Sequence, residues 1–227
     1  MTIYKISPSD LTFAWDECKY CFYMRIKHAM QLKTPFPGIF TRMANLTSDF
    51  YQGRQTYEIS DGLPAGIIHL REEYVKSEPI SFPGLETQCY IRGRFDAAIE
   101  FEDGSYGLVD YKTSEARPEH AAFYARQLSA YAYALEHPAE GALGLKPISR
   151  MGLFVIMPDR FERNEAGEVV FVNRTTWMEV PRDEAGFMAV IEAVLRLLDD
   201  PLPPAPAENC GVCNYREGMR RMNDLGL

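Results

Sequence analysis

Asp110 and Lys112 stand two residues apart in Val109-Asp110-Tyr111-Lys112-Thr113, with Asp96 a short distance upstream. On a strand, residues two apart project from the same face. Two carboxylates brought side by side repel each other unless a cation sits between them. Hard oxygen donors suit Mg²⁺ or Mn²⁺. Such an ion generates hydroxide from water and stabilises charge at phosphorus, and a nearby lysine positions the water or neutralises the developing charge. This is the chemistry of phosphodiester hydrolysis. On spacing alone a solvated hairpin face with ordinary ion pairs explains the residues better, because Asp-x-Lys is common.

The elements that must position these groups are two adjacent strands. Residues 87–101 alternate, with Cys89, Ile91, Gly93, Phe95, Ala97, Ile99 and Phe101 on one face and Tyr90, Arg92, Arg94, Asp96, Ala98 and Glu100 on the other. That pattern predicts one strand with a core face and a polar face. Residues 105–113 form the second strand, after a turn at Glu102-Asp103-Gly104. A two-residue loop would pair Asp110 with Ala97 and drive Asp96 into the core, which is unfavourable for an unpaired carboxylate. A three-residue loop with Gly104 left-handed pairs Asp96 with Asp110. Burial logic selects the second register and puts Asp96, Asp110, Lys112 and Arg94 on one face.

Around this hairpin the pattern predicts an α/β fold. Ser7-Pro8-Ser9-Asp10 reads as a helix start, and Leu11, Trp15, Cys18 and Phe22 form a stripe along a helix over 7–33. Further helices are expected over 38–51, 65–77 and 118–137, and one capped by Asp183 with Phe187, Val190, Ile191, Val194 and Leu198 inward. Strands are expected over 150–158 and 169–180. Residues 201–206, Pro-Leu-Pro-Pro-Ala-Pro, should run extended. No internal repeat or domain boundary is evident. The chain reads as a single domain over 1–227, with a helical lobe (1–80), a catalytic sheet and helix (81–182), and a C-terminal helix with a cysteine tail (183–227).

Gly93-Arg94-Phe95-Asp96, then Val109-Asp110-Tyr111-Lys112-Thr113, then Gln127-x-x-x-Tyr131 resembles the signature of RecB-like nucleases in the PD-(D/E)XK superfamily. The opening Ser7-Pro8-Ser9-Asp10-Leu11 and Cys18-Lys-Tyr-Cys-Phe-Tyr-Met-Arg25 is similar to that family's N-terminal helix. Cys210-Gly-Val-Cys213 is similar to the cysteine tail of its CRISPR-adaptation and helicase-associated exonucleases. The resemblance implies a restriction-endonuclease-like mixed central sheet flanked by helices. It implies Asp96, Asp110 and the Tyr111 carbonyl as metal ligands, Lys112 as catalytic lysine, and Gln127 and Tyr131 as residues that contact substrate or orient the site. Tyr131 also belongs to the apolar stripe of its helix, so core packing explains it as well. Relatives often carry a histidine ligand in a Gly-x-x-x-His helix, and Gly38-Ile-Phe-Thr-Arg42 has Arg42 in that slot. His69 could substitute, although a surface histidine is the simpler reading, and Glu86 could be an extra acid.

Of five cysteines, Cys18, Cys21, Cys210 and Cys213 form two Cys-x-x-Cys pairs at opposite ends of the chain. In a cytosolic protein such pairs read as metal or cluster ligands before disulfides. Four thiolates suit tetrahedral Zn²⁺ or a 4Fe-4S cluster. The site would join the N-terminal helical lobe to the C-terminal tail. The resemblance favours 4Fe-4S, with Met219 near where a further cysteine is expected, while the two-plus-two spacing fits zinc. Cys89, on the apolar strand face, is core.

The chain of 227 residues carries a net charge of −8, which excludes a broadly basic, non-specific DNA binder. Residues 1–60 carry +2 and the rest −10. Nucleic-acid contacts should therefore be local and salt-sensitive. Arg92 and Arg94 are the best candidates. Arg25, Lys27, His28, Lys33, Arg42, Arg216, Arg220 and Arg221 could form a second patch where the termini meet. No apolar run is long enough to span a membrane and the start lacks a secretory signal, so a soluble, cytoplasmic protein is expected. The leading expectation is a Mg²⁺- or Mn²⁺-dependent DNA nuclease acting on single strands or ends, in recombination, repair, phage replication or CRISPR adaptation, with a helicase as a candidate partner. The alternative is a nuclease-fold module that binds nucleic acid or a helicase without cutting.

Overall fold

The computed structural model describes residues 2–31, 35 and 37–224. Among the described residues, eight strands form two sheets. A three-stranded sheet has the order β1 (Thr2–Ile6), β4 (Thr87–Arg94), β3 (Tyr74–Lys76), with β1 parallel and β3 antiparallel to β4. A five-stranded sheet has the order β2 (Gly66–Arg71), β5 (Ala97–Phe101), β6 (Tyr106–Lys112), β7 (Ile148–Arg163), β8 (Val169–Glu179). The β6–β7 pair is parallel and the other pairs of this sheet are antiparallel. It is therefore a mixed α/β architecture with a mixed central sheet. The crossover from β6 to β7 is made by α4 (Pro118–Glu136), which starts with proline in its first turn and ends just before Pro138.

The expected single strand over 87–101 is two strands. The chain bends at Phe95–Asp96 and passes from one sheet to the other. The expected polar face is corrected too. Ala98 and Leu108 pack into one core with Cys89, Ile91, Leu128 and Leu153, while Ala97, Ile99, Phe101 and Val109 pack into a second core with Ile68 and Phe154. β5 and β6 are interior strands covered on both sides, so alternation of side-chain type overstated their exposure. The hairpin register is the expected one. Ala97 pairs with Val109, the loop is Glu102-Asp103-Gly104, and Gly104 has φ +80°.

The expected helix over 65–77 is instead β2 and β3. Ile68 and Val75 are fully buried while their neighbours Ile67 and Tyr74 are exposed. That is period-two burial, imposed by pairing with β5 and β4. Glu72, at the bend between them, has φ +51°. The N-terminal lobe thus contributes strands as well as helices.

The helix expected over 7–33 is interrupted. A π-helical turn, Asp10–Ala14, leads into the short α1 (Trp15–Glu17). Cys18 is extended, and α2 (Lys19–His28) ends at a left-handed Ala29. Lys33 lies outside the described residues. Asp10 is buried; it accepts from the Ser7 hydroxyl at 2.6 Å and pairs with Arg25 at 2.8 Å. α3 (Gly38–Tyr51) and α5 (Glu184–Asp199) form where expected, and Asp183 caps α5 by accepting from the Gly186 amide at 2.8 Å. The tail past 201–206 ends in a further helix, α6 (Gly211–Asp224), which the proline run gave no reason to expect. Among the described residues no helix is long and apolar enough to cross a membrane.

Candidate active site and cysteine cluster

The candidate site forms where the β5–β6 hairpin opens. One step beyond the Ala97–Val109 pair, Asp96 turns its carboxylate back to accept from the Tyr111 amide at 2.8 Å. Asp110, on the same face of β6 as Leu108, is 3% exposed. Lys112 approaches it at 2.5 Å. Desolvation is the largest influence on both carboxyls and raises both. Asp96 is pushed up to about 7, with the charge of Asp110 adding to burial. Burial works against the charge of Lys112, but Asp110 and Asp96 outweigh it and hold the ammonium above its usual range. When both carboxyls are ionised the trio carries one more negative than positive charge in a nearly dry place, which is an arrangement suited to a cation.

α4 supplies the wall. Gln127 donates from Nε2 to Asp110 Oδ1 at 3.0 Å, and its Oε1 is buried without a partner. Tyr131 donates to the Arg94 carbonyl at 2.7 Å, bracing the bend between β4 and β5. Tyr124 lies under Lys112, with Nζ 4.2 Å from the ring centre. Tyr131 comes this close because residue 93 is glycine; a Cβ there would lie 3.0 Å from the Tyr131 ring and 2.7 Å from Pro8. The structure thus brings Asp96, Asp110, Tyr111, Lys112, Gln127 and Tyr131 together.

A third carboxylate, Glu72, lies at the rim of this group and was missed from sequence. The Glu72 amide donates to the Asp96 carbonyl at 2.9 Å, and the Glu72 charge raises the Asp96 pKa further. Reading 65–77 as a helix hid it. The signal was Glu72-Glu73 interrupting an alternating stretch. Arg94 reaches Glu72 at 3.7 Å and so lies at the rim, while Arg92 is exposed two pairs further along β4.

A family model for the PD-(D/E)XK nuclease superfamily matches residues 45–217. The chain belongs to the PD-(D/E)XK nuclease superfamily. No curated protein matches it. A crystal structure of SSO0001 is similar at 17% identity and a TM-score of 0.42, over 88% of this chain and 78% of that one. As a member of the nuclease superfamily, the chain has nucleic acid as its implied substrate and a divalent metal as its typical cofactor.

Several polar candidates lie elsewhere in this superfamily member. Arg42 is exposed on α3. His69 is on β2, on a solvent-facing position 3.6 Å from Glu100. Glu86 is exposed, with its amide directed to Asp199. Arg25 is bound to Asp10, and Lys27 donates to the carbonyls of Leu198 and Asp200. Arg216 lies over Tyr20, and Arg220 and Arg221 each reach Glu217 at 3.3 Å. The second basic patch is therefore largely occupied by internal partners.

Cys18, Cys21, Cys210 and Cys213 converge, with their sulfurs all within 4.8 Å of one another. All four are free thiols. The extended Cys18 breaks the N-terminal helix and points its sulfur at the tail, where it accepts from the Ala207 amide at 3.5 Å. Burial pulls the Cys18 thiol up, but that amide and the neighbouring cysteines overcome it and lower it to about 7. The N-terminal pair is thus near the C-terminal pair, and the four could bind a metal or cluster. Cys89 is wholly buried in the main core, and burial pushes its thiol up to about 12.

Proposed function

We propose that this chain is a Mg²⁺- or Mn²⁺-dependent deoxyribonuclease acting on single strands or ends, in recombination, repair, phage replication or CRISPR adaptation. The carrying observation is the desolvated pair Asp96 and Asp110 flanking one ammonium, Lys112. Asp96, Asp110 and the Tyr111 carbonyl would hold the ion, with Glu72 as a further oxygen donor. When bound, the metal supplies Lewis acidity and lowers the pKa of water. Lys112, held protonated, faces the charge that develops on the phosphorane oxygens. Gln127 fixes the rotamer of Asp110, and Tyr131 fixes the backbone that carries Asp96. Arg94 at the rim, and Arg92 beyond it, contact phosphates. The chain acts as a single catalytic domain over 1–227.

The test is cleavage of labelled single-stranded, duplex and end-blocked DNA with each metal, using Lys112→Ala as control. Loss of cleavage in that variant is expected, and unchanged cleavage would refute the assignment. A binding module without catalysis is the second reading, motivated by Arg42 in the histidine slot and by the acidic net charge. It predicts DNA or helicase binding with no cleavage under any metal.

The resemblance implies a 4Fe-4S cluster at the four cysteines. The neighbouring sulfur separations, 3.4, 3.6 and 4.0 Å, support zinc instead. Thiolates around one Zn²⁺ at ~2.3 Å stand about 3.8 Å apart. A cubane puts each thiolate on a different iron and spreads them wider. Metal analysis with a visible absorption spectrum separates the two, since only the cluster is coloured.

A further inference from the structure

We propose that Phe13, Phe123 and Tyr124 form a platform on which unpaired bases of the substrate strand stack as it enters the site beside Lys112. The proposal rests on the nuclease reading above and adds how a single strand is held.

Phe13 comes from the π-helical turn near the N-terminus, and Phe123 and Tyr124 come from α4. Their rings meet edge to face. Phe13 lies 5.5 Å from Phe123 and 6.0 Å from Tyr124, and Phe123 lies 4.9 Å from Tyr124. Phe13 is 47% exposed and Phe123 37% exposed. Leu11 and Thr12 beside Phe13 are fully buried, so the π-helical turn is what directs Phe13 outward. Such turns recur at functional sites. Two large rings from distant parts of the chain are held together in solvent, where burial would be favourable.

The platform is continuous with the candidate site. The Tyr124 ring that touches both phenylalanines also carries the Lys112 ammonium over its face. The cations nearby are engaged elsewhere. Arg126 is paired with Asp16, and Lys19 lies 3.1 Å over the Trp15 ring while donating to the Trp15 carbonyl at 2.6 Å. This surface therefore offers ring faces rather than free positive charge. Ring faces recognise bases, and every base has one. In a duplex those faces are already stacked on neighbours, so the occupant is a single strand.

The test measures binding apart from cleavage, in EDTA, by fluorescence anisotropy. The full chain is titrated with a labelled oligothymidylate, an abasic strand of equal length, an equal-length oligouridylate, and a duplex. Stacking predicts roughly tenfold tighter binding of base-bearing strands than of the abasic strand. Phe13→Ala with Phe123→Ala should bring the former down to the latter without changing the melting temperature or abasic binding. Phe123→Trp should keep the preference. Equal binding of abasic and base-bearing strands, or a preference that survives the double substitution, would overturn the platform; the second result would mean that bases are recognised elsewhere on the chain. The thymidylate and uridylate arms differ in the base methyl and the 2′-hydroxyl, and stacking alone predicts that both strands bind more tightly than the abasic one. Base-selective binding without metal-dependent cleavage would refute only the nuclease reading. Cleavage that needs Lys112 without base selectivity would refute only the platform.

Discussion

Asp96 Oδ2 takes the Tyr111 amide at 2.8 Å, so a side chain occupies the place where the β5–β6 ladder would offer a carbonyl. This single bond ends the ladder, anchors one carboxylate, and leaves Asp96 and Asp110 side by side at the mouth of the hairpin. The placing of the two carboxylates and the bend between the two sheets therefore meet at one hydrogen bond.

The carboxylates should weaken the metal-free fold. The Asp96 carboxyl is raised to about 7, first by burial and then by Asp110. A carboxyl raised in the folded state contributes stability below its unfolded pKa and loses that contribution as pH rises through its folded value. In EDTA the wild type should melt lower at about pH 8 than at about pH 5. Asp110→Asn leaves one carboxylate for Lys112 and should raise the metal-free Tm near neutrality by a few degrees, at roughly 2–4 °C per kcal/mol. Mg²⁺ should raise the melting temperature of the wild type and not that of the variant.

Tyr131 should act through the backbone. Tyr131→Phe keeps the ring in the core but leaves the Arg94 carbonyl without its donor, a loss of about 1 kcal/mol in urea unfolding. Cleavage should fall more than stability does, because Asp96 lies two residues beyond the freed carbonyl. Equal losses in folding and cleavage would reduce Tyr131 to packing.

Glu72→Gln should raise the Mg²⁺ concentration needed for half-maximal cleavage several-fold and change the saturated rate little. Its charge is felt by Asp96 and its amide is tied to the Asp96 carbonyl. A metal titration that does not move would leave Glu72 as the partner of Arg94 alone.

Thiol titration should separate the five cysteines. With the four-cysteine site loaded, no thiol should react in the folded protein. Chelation should release Cys18, Cys21, Cys210 and Cys213, while Cys89 stays silent until unfolding, since burial keeps it protonated with a pKa of about 12. Cys210→Ser should lower metal content and loosen α6, detected as faster proteolysis after Pro206. A reactive Cys89 in the folded chain would contradict its place in the core.

Local chemistry carried much of this in the sequence. Gly104 and a three-residue loop set the register that aligns Asp96 with Asp110. Pro118, Pro138 and the Ala-rich stretch between them bounded α4, and with it the spacing of Gln127 and Tyr131. Asp183 marked the start of α5. Each of these signals acts within a few residues, where backbone conformation and capping are decided.

Partner choice between distant segments was decided only by the tertiary structure. Residues 65–77 read as a helix, but pairing with β5 and β4 makes two strands of them, and that pairing is what carries Glu72 to Asp96. β1 became a strand by pairing in parallel with β4, more than 80 residues away. The run 87–101 alternates without a break in composition, yet it divides at Asp96 because each half joins a different sheet. Pairing energy comes from hydrogen bonds and burial on a surface that another part of the chain provides. The residues named the donors of the site; the fold decided which of them meet.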